Sequence, residues 1–293
     1  MIFRIRFAKY GVVKFIGHLD VMRYFQKAVR RSLLPIKYSQ GFNPHQLMVF
    51  AQPLGVGVTS DGEYMDIETE DTDSEGNPMS EETARTMLAS ALTEGFEIVD
   101  LRQIPWAEGT KHPENAMALI DGADYIVSLK DGYSIKLNKA KGETGLLVIS
   151  QLGEIDKDET DNGENDAGKT DAETLAYIKE KFTSFISEKE IVINKKTKSG
   201  EKLTDIKPYI YASGLTGNDV IPDGFEAVGA AHADIYTPGI RFFFRLSAGS
   251  VVNIKPELVM EAFFSYMGSE YEPYAFQIHR MQMYSNIEKT ESL

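Results

Sequence analysis

The chain has 293 residues, room for two compact domains of roughly 100 to 150 residues. Its 42% apolar and 11% aromatic residues can fill a core, while a net charge of −13 keeps it in solution. It has no cysteine, which excludes disulfides, thiolate metal sites, iron–sulfur ligation and a cysteine nucleophile. No apolar run approaches the roughly 20 residues of a membrane helix and no signal-peptide pattern is present, so a cytoplasmic, unprocessed protein without a membrane partner is expected.

The charge is unevenly distributed. Met1 to Phe50 holds Arg4, Arg6, Lys9, Lys14, Arg23, Lys27, Arg30, Arg31 and Lys37 against one acid, Asp20, a local +8, and the rest of the chain carries −21. That asymmetry points to a polyanion-facing surface.

In chain order, Ile2 to Phe7 alternates apolar and basic residues in the period-2 pattern of a half-buried strand, with Arg4 and Arg6 on one face. Leu19, Met22, Phe25 or Gln26, Val29 and Leu33 then recur at helical spacing, with Arg23, Lys27 and Arg30 on a neighbouring stripe. Gly17 can cap this helix, Asp20 suits its first turn, and Pro35 ends it. The turn-rich stretch Lys37 to Pro44 leads into an extended segment at Leu47 to Pro53, then a strand at Gly62 to Thr69. A helix from Ser80 to about Thr93 and a strand from Phe96 to Ile104 complete β-α-β-β-α-β, the order of a ferredoxin-like α+β sandwich, over residues 1–106.

After a linker at 107–122, a second α+β domain of similar type is expected at 123–287. Its strands are read at Ala123 to Lys130, Glu190 to Thr197, Lys202 to Ser213, Arg241 to Leu246 and Phe276 to Tyr284, with helices at Ala172 to Ser187 and Pro256 to Met267. Residues 154–173 are acidic and too polar to order themselves, so they read as a disordered insertion. A calcium-loop frame from Asp158 fails because Lys169 falls where a bidentate carboxylate is required. Pro53 to Gly57 lacks the lysine of a phosphate loop and reads as a strand connection. Phe242, Phe243 and Phe244 read as a buried strand, and Gly249 to Asn253 as a capping turn.

GHLDVMRYFQKAVRRSLLPIKYSQGFNPH from Gly17 to His45, continuing into FAQPLGVGVTSDGEYMDIE, resembles a radical-SAM-linked family of bacterial proteins, a domain of unknown function. RLSAGSVVNIKPELVMEAF from Arg245 is the best match in the second half. The resemblance implies an accessory protein encoded beside, or fused to, a radical SAM protein. It does not imply that this chain is the enzyme, and with no cysteine the chain can carry no such cluster, so no cofactor is expected in it.

His18, Asp20 and His45 are the candidate acid/base or metal residues; the competing reading is a helix cap, a dipole partner and a loop histidine. Arg23, Lys27, Arg30 and Arg31 can track phosphates, Tyr38 and Phe42 can stack bases, and Gln40, Asn43 and His45 can read base edges. The leading expectation is a non-catalytic companion of a radical SAM enzyme that presents RNA, tRNA or rRNA, through its basic N-terminal domain. The alternatives are a protein–protein docking module for that partner, and a metal- or histidine-dependent RNA-processing enzyme.

Overall fold

Alternation in Ile2–Lys9 (β1) turns Phe3, Ile5 and Phe7 to one face, where all three are buried. The other face is covered too, unlike the half-buried strand that the pattern suggests. Arg4 is 5% exposed because its Nε and Nη2 donate to the two carboxylate oxygens of Asp66 at 2.8 and 2.9 Å, matching the charge inside the fold. The computed structural model describes all residues except 107–108, 139–144, 152–169, 198–199, 218–220, 226 and 234–238. The acidic insertion therefore lies outside the described residues apart from its last four.

His18–Arg31 (α1) lays Val21, Phe25, Ala28 and Val29 on the β1 face. Leu19 and Leu33, which continue the same spacing, are exposed: Leu19 lies in the first turn, and Leu33 lies past the last, at φ +58°. Met48–Phe50 (β2), Thr59–Glu68 (β3), Glu81–Ser90 (α2) and Phe96–Ile104 (β4) follow. Ser80 caps α2, its Oγ accepting from the Thr83 N–H at 3.1 Å.

The stretch read as a linker carries a short helix, Ala116–Leu119 (α3), and its Ala116 N–H donates to Asp66 at 2.7 Å. Beyond it come Gly122–Leu129 (β5), Tyr133–Asn138 (β6), Leu146–Gln151 (β7), Ala172–Ser187 (α4), Val192–Thr197 (β8) and Gly200–Asp205 (β9). Ile210–Thr216 (β10), Arg241–Ser247 (β11), Pro256–Tyr266 (α5), Phe276–Asn286 (β12) and Glu291–Ser292 (β13) complete the chain. The single strand expected over Lys202 to Ser213 is two, because Pro208 cannot donate to a ladder and a 3-10 turn at Lys207–Tyr209 intervenes. The β6–β7 and β8–β9 hairpins form separate two-stranded sheets.

The product is an α+β protein with a mostly open, mixed sheet. The sheet runs β10-β11-β5-β12-β3-β1-β4 through both halves, with β2 added on β3 and β13 on β12. One core lies between β1, β3, β4 and helices α1 and α2; the other gathers Phe242, Phe244, Phe263 and Phe264 with α4 and α5. Phe243 points to the opposite face, against Phe225. No helix among the described residues is long and apolar enough to cross a membrane.

The halves meet where β12 runs parallel to the start of β3, His279 opposite Thr59 and Arg280 opposite Ser60. Gly62 makes the approach possible: a Cβ there would lie 2.5 Å from Gln282 Cα and 2.6 Å from Met281 O, both backbone atoms. Gly62→Ala should therefore force the strands apart and cost about 1–3 kcal/mol or more, measured as a lower urea midpoint; an unchanged midpoint would show that the junction has slack.

Candidate nucleic-acid interface

Eight of the nine basic residues of the first fifty divide into two sets; the ninth, Lys37, lies 4.0 Å from Glu70. Arg4, Arg6, Lys9 and Lys14 turn inward. Arg6 donates to Asp61 O at 2.8 Å and Met281 O at 3.1 Å, and Lys14 Nζ donates to Gln277 Oε1 at 3.1 Å, both contacts to Met281 and Gln277 crossing to the second half. Lys9 is 1% exposed, its Nζ held by the carbonyls of Ile16 (3.1 Å) and Lys14 (3.3 Å), and burial pushes its pKa below the ordinary lysine value. Residues 51–106 add thirteen acids against two arginines, so the basic feature is a face and not a whole domain.

That face is α1. Arg23, Lys27, Arg30 and Arg31 are all exposed, at spacings that keep them on one side of the helix. Arg23 meets Asp20 at 3.1 Å on the surface, and Arg31 donates to Ala91 O at 2.8 Å beside the Tyr24 ring. Solvent screens such an exposed pair and leaves Arg23 able to exchange partners.

The Tyr38 to His45 loop sits against the same helix. Bridges Ile36–Thr69 and Tyr38–Gln46 close its base, Ser39 N–H donates to His45 O at 2.8 Å, and Gly41 takes φ +117° at the tip. Gln46 Nε2 then donates to Gln26 O at 3.3 Å, tying the loop to α1 one residue from Lys27. Gln40, Phe42 and Asn43 are exposed, and Phe42 is fully so, at 107%. An exposed aromatic ring and a row of exposed cations are what base stacking and phosphate neutralisation need.

The three acid/base candidates are held apart by other partners. His18 stands edge-on to Phe50 at 5.7 Å, and burial pushes its pKa below the ordinary histidine value. Asp20 pairs with Arg23, while His45 Nδ1 shares a 2.7 Å hydrogen bond with Ser39 Oγ. Among the described residues no group of three or more histidine, aspartate or glutamate side chains could hold a metal ion.

Sequence reasoning missed the polar cluster at the junction. Asp61, almost wholly buried, accepts from the His232 backbone N–H at 2.9 Å and from His232 Nδ1, and lies 3.3 Å from His279 Nε2. Tyr10 stacks on the His232 ring at 3.8 Å, and Glu97 lies 3.7 Å from its outer nitrogen. Next along β3, Glu63 receives both Arg280 Nε (2.8 Å) and Nη2 (2.7 Å). Burial works against the Arg280 charge, yet Glu63 and Tyr125 outweigh it and raise its pKa above the ordinary value. The four acids of β3, Asp61, Glu63, Asp66 and Glu68, were the available signal; their partners lie up to about two hundred residues away in sequence.

Two cavities flank these features. One of about 220 Å³ lies beside the loop, lined in part by His45, Gln46, Met48, Glu68 and His112. The other, about 270 Å³, lies between the halves at Gln52, Tyr125, Lys255 and Arg280.

A model of the family described as uncharacterized proteins conserved in bacteria (DUF2344) matches residues 3–256, a stretch that includes α1, the loop and most of the second half. No curated protein matches the chain.

Burial alone would raise the Asp61 pKa, but the hydrogen bonds and charge from His279 and the bonds from His232 outweigh it and hold the carboxyl below its usual value. A carboxyl with a depressed folded pKa contributes stability above its unfolded pKa of about 3.9, and that stability is lost as pH falls through the folded value. Asp61→Asn should thus be less stable than the wild type by roughly 2 kcal/mol at neutral pH. In urea unfolding across a pH series, the gap should begin to narrow below about pH 4; a pH-independent gap would contradict this.

Proposed function

We propose, for a chain that belongs to this family of uncharacterized bacterial proteins, that the α1 face and the Tyr38 to His45 loop bind unpaired RNA without acting on it. One observation carries the reading: the Gln46–Gln26 bond ties the base of the loop that carries the fully exposed Phe42 to α1, next to Lys27 of the exposed Arg23, Lys27, Arg30 stripe. Stacking suits single-stranded segments, such as tRNA or rRNA loops, whose bases can leave the helix. The chemistry is done elsewhere, by the radical SAM partner implied by the sequence resemblance, and this protein serves as its RNA-presenting accessory in the cytoplasm with no cofactor of its own.

We further propose that the two halves repeat one fold. Residues 1–106 and 123–287 are two ferredoxin-like units: β4-β1-β3-β2 and β12-β5-β11-β10 follow the same strand order, with helices after the first and third strand of each. Hairpins β6–β7 and β8–β9 are additions to the second unit.

A second reading is favoured by a different patch. Val12, Phe15, Leu19 and Val56 are all more than half exposed; Gly57 N–H donates to Lys14 O at 2.8 Å, joining their segments. Such an apolar patch suits a protein partner, and retention of the nuclease-treated protein by the radical SAM partner would carry this docking reading.

For RNA binding, fluorescence anisotropy with a single-stranded oligomer should give an affinity that falls steeply with salt. Replacing Arg23, Lys27 and Arg30 with alanine should reduce the slope of log K against log salt by about 2, since each phosphate contact on a single strand adds about 0.7. Phe42→Ala should weaken binding by about 1–3 kcal/mol. A triple variant that binds like the wild type would refute the proposal.

A further inference from the structure

We infer that the outer edge of β10 pairs with the β10 edge of a second copy of this chain, joining two nine-stranded sheets across a two-fold axis. The pairing does not depend on RNA binding.

An unguarded end strand invites another strand to add to it. The ends of the large sheet are β4 and β10. The β4 end is guarded. Arg85 of α2 donates to the carbonyls of Ile98 and Val99 at 3.3 Å, and Glu81 accepts the Gln103 N–H at 2.7 Å. Glu97, Asp100 and Arg102 put exposed charges along the same strand.

Strand β10 reads IYASGLT, with no charge and no proline. The chain that leaves it crosses the sheet instead of returning along the edge: Pro222 lies against Gly214, and Phe225 packs on Phe243, on the side away from α4. No described residue bonds to the backbone of Ala212, Ser213, Gly214 or Leu215 outside the β10–β11 ladder. With α4 on one side and Pro222 on the other, these four residues are still only half-buried, and the open part is the edge.

A groove of about 390 Å³ runs beside that edge, lined by Lys179, Phe182, Thr183 and Ile186 of α4 and by Ser213 and Leu215 of β10. Thr183 Oγ1 donates to Lys179 O at 2.8 Å, and Ser187 Oγ donates to Thr183 O at 2.7 Å. The helix side therefore offers apolar surface and a single charge, Lys179, in place of the converging donors that a small polar ligand needs.

A second copy matches the edge in charge. A two-fold axis normal to the sheet runs the two β10 strands antiparallel, so every opposed pair is uncharged and no like-charge penalty arises. The same axis runs the two α4 helices antiparallel on one face of the joined sheet. Thr183 lies midway along the helix side of the groove, so Lys179 of each copy is directed toward Ser187 and the exposed Glu188 of the other, opposite charges that the symmetry repeats.

Sedimentation velocity of the full chain over a concentration series should show a reversible monomer–dimer equilibrium, and the amides of Ala212 to Leu215 should exchange hydrogen more slowly in the dimer. Ser213→Lys brings two cations together at the edge and should raise the dimer dissociation constant at least about fivefold, with the thermal midpoint of the monomer unchanged. Lys179→Glu should weaken the dimer in the same direction, and adding Glu188→Lys should restore it, which a folding defect would not do. A chain that is monomeric at every concentration gives the edge another occupant or none and overturns the inference. A dimer indifferent to Ser213→Lys, slowed exchange only outside β10, or a double variant no tighter than Lys179→Glu overturns it as well.

Discussion

Two charged side chains, Glu63 and Arg280, face each other inside the seam where β3 meets β12. Neither could be buried alone, because an unpaired charge in a low-dielectric interior is far too costly. Their pairing, two nearly parallel hydrogen bonds at 2.8 and 2.7 Å, requires the two strands to stay in one register. Asp61 with His232 and His279, Arg6 on Asp61 O and Met281 O, and Tyr64 on Gln282 Oε1 (2.7 Å) repeat the requirement along the same seam. Gly62 lets the backbones come close enough for all of these contacts.

The seam explains the division of the basic residues. Arg4, Arg6 and Lys14 face β3 and β12, and Lys9 is held by carbonyls of the turn after β1, so they serve the interior of the protein, whereas those of α1 lie on the outer layer, with the helix between them and the core. Only the second set is available to a partner. The same arrangement fixes the loop after α1: its base is bonded to β3 through Lys37 N–H on Glu68 O (2.8 Å) and to α1 through Gln46. A rigid support under an exposed tip is the usual way a fold presents recognition residues.

Much of the fold was legible in the sequence because its elements carry strong periodicity. Helix α4 at Ala172–Ser187 and strand β4 at Phe96–Ile104 lie where apolar spacing places them. The β6–β7 hairpin was not, since Tyr133–Asn138 is short and the sequence between the two strands is low in apolar residues. Within the candidate interface, spacing alone identified the exposed stripe of α1. Local charge counting failed for Arg4, Arg6 and Lys14, because their partners lie on other strands, and for Lys9, because the carbonyls of Lys14 and Ile16 fold back over it. The Asp61–His232 contact spans 171 positions, and no local pattern encodes a pair that only strand order brings together.

In the proposed function, unpaired RNA runs along the α1 face and over the Tyr38 to His45 loop. Ultraviolet cross-linking of the full chain to a single-stranded RNA, followed by mass spectrometry of the joined peptides, tests it most directly. The account predicts cross-links at Tyr38 or Phe42 and in the peptide that carries Arg23 to Arg31. Cross-links confined to the second half of the chain, or none under conditions where RNA is bound, would contradict it.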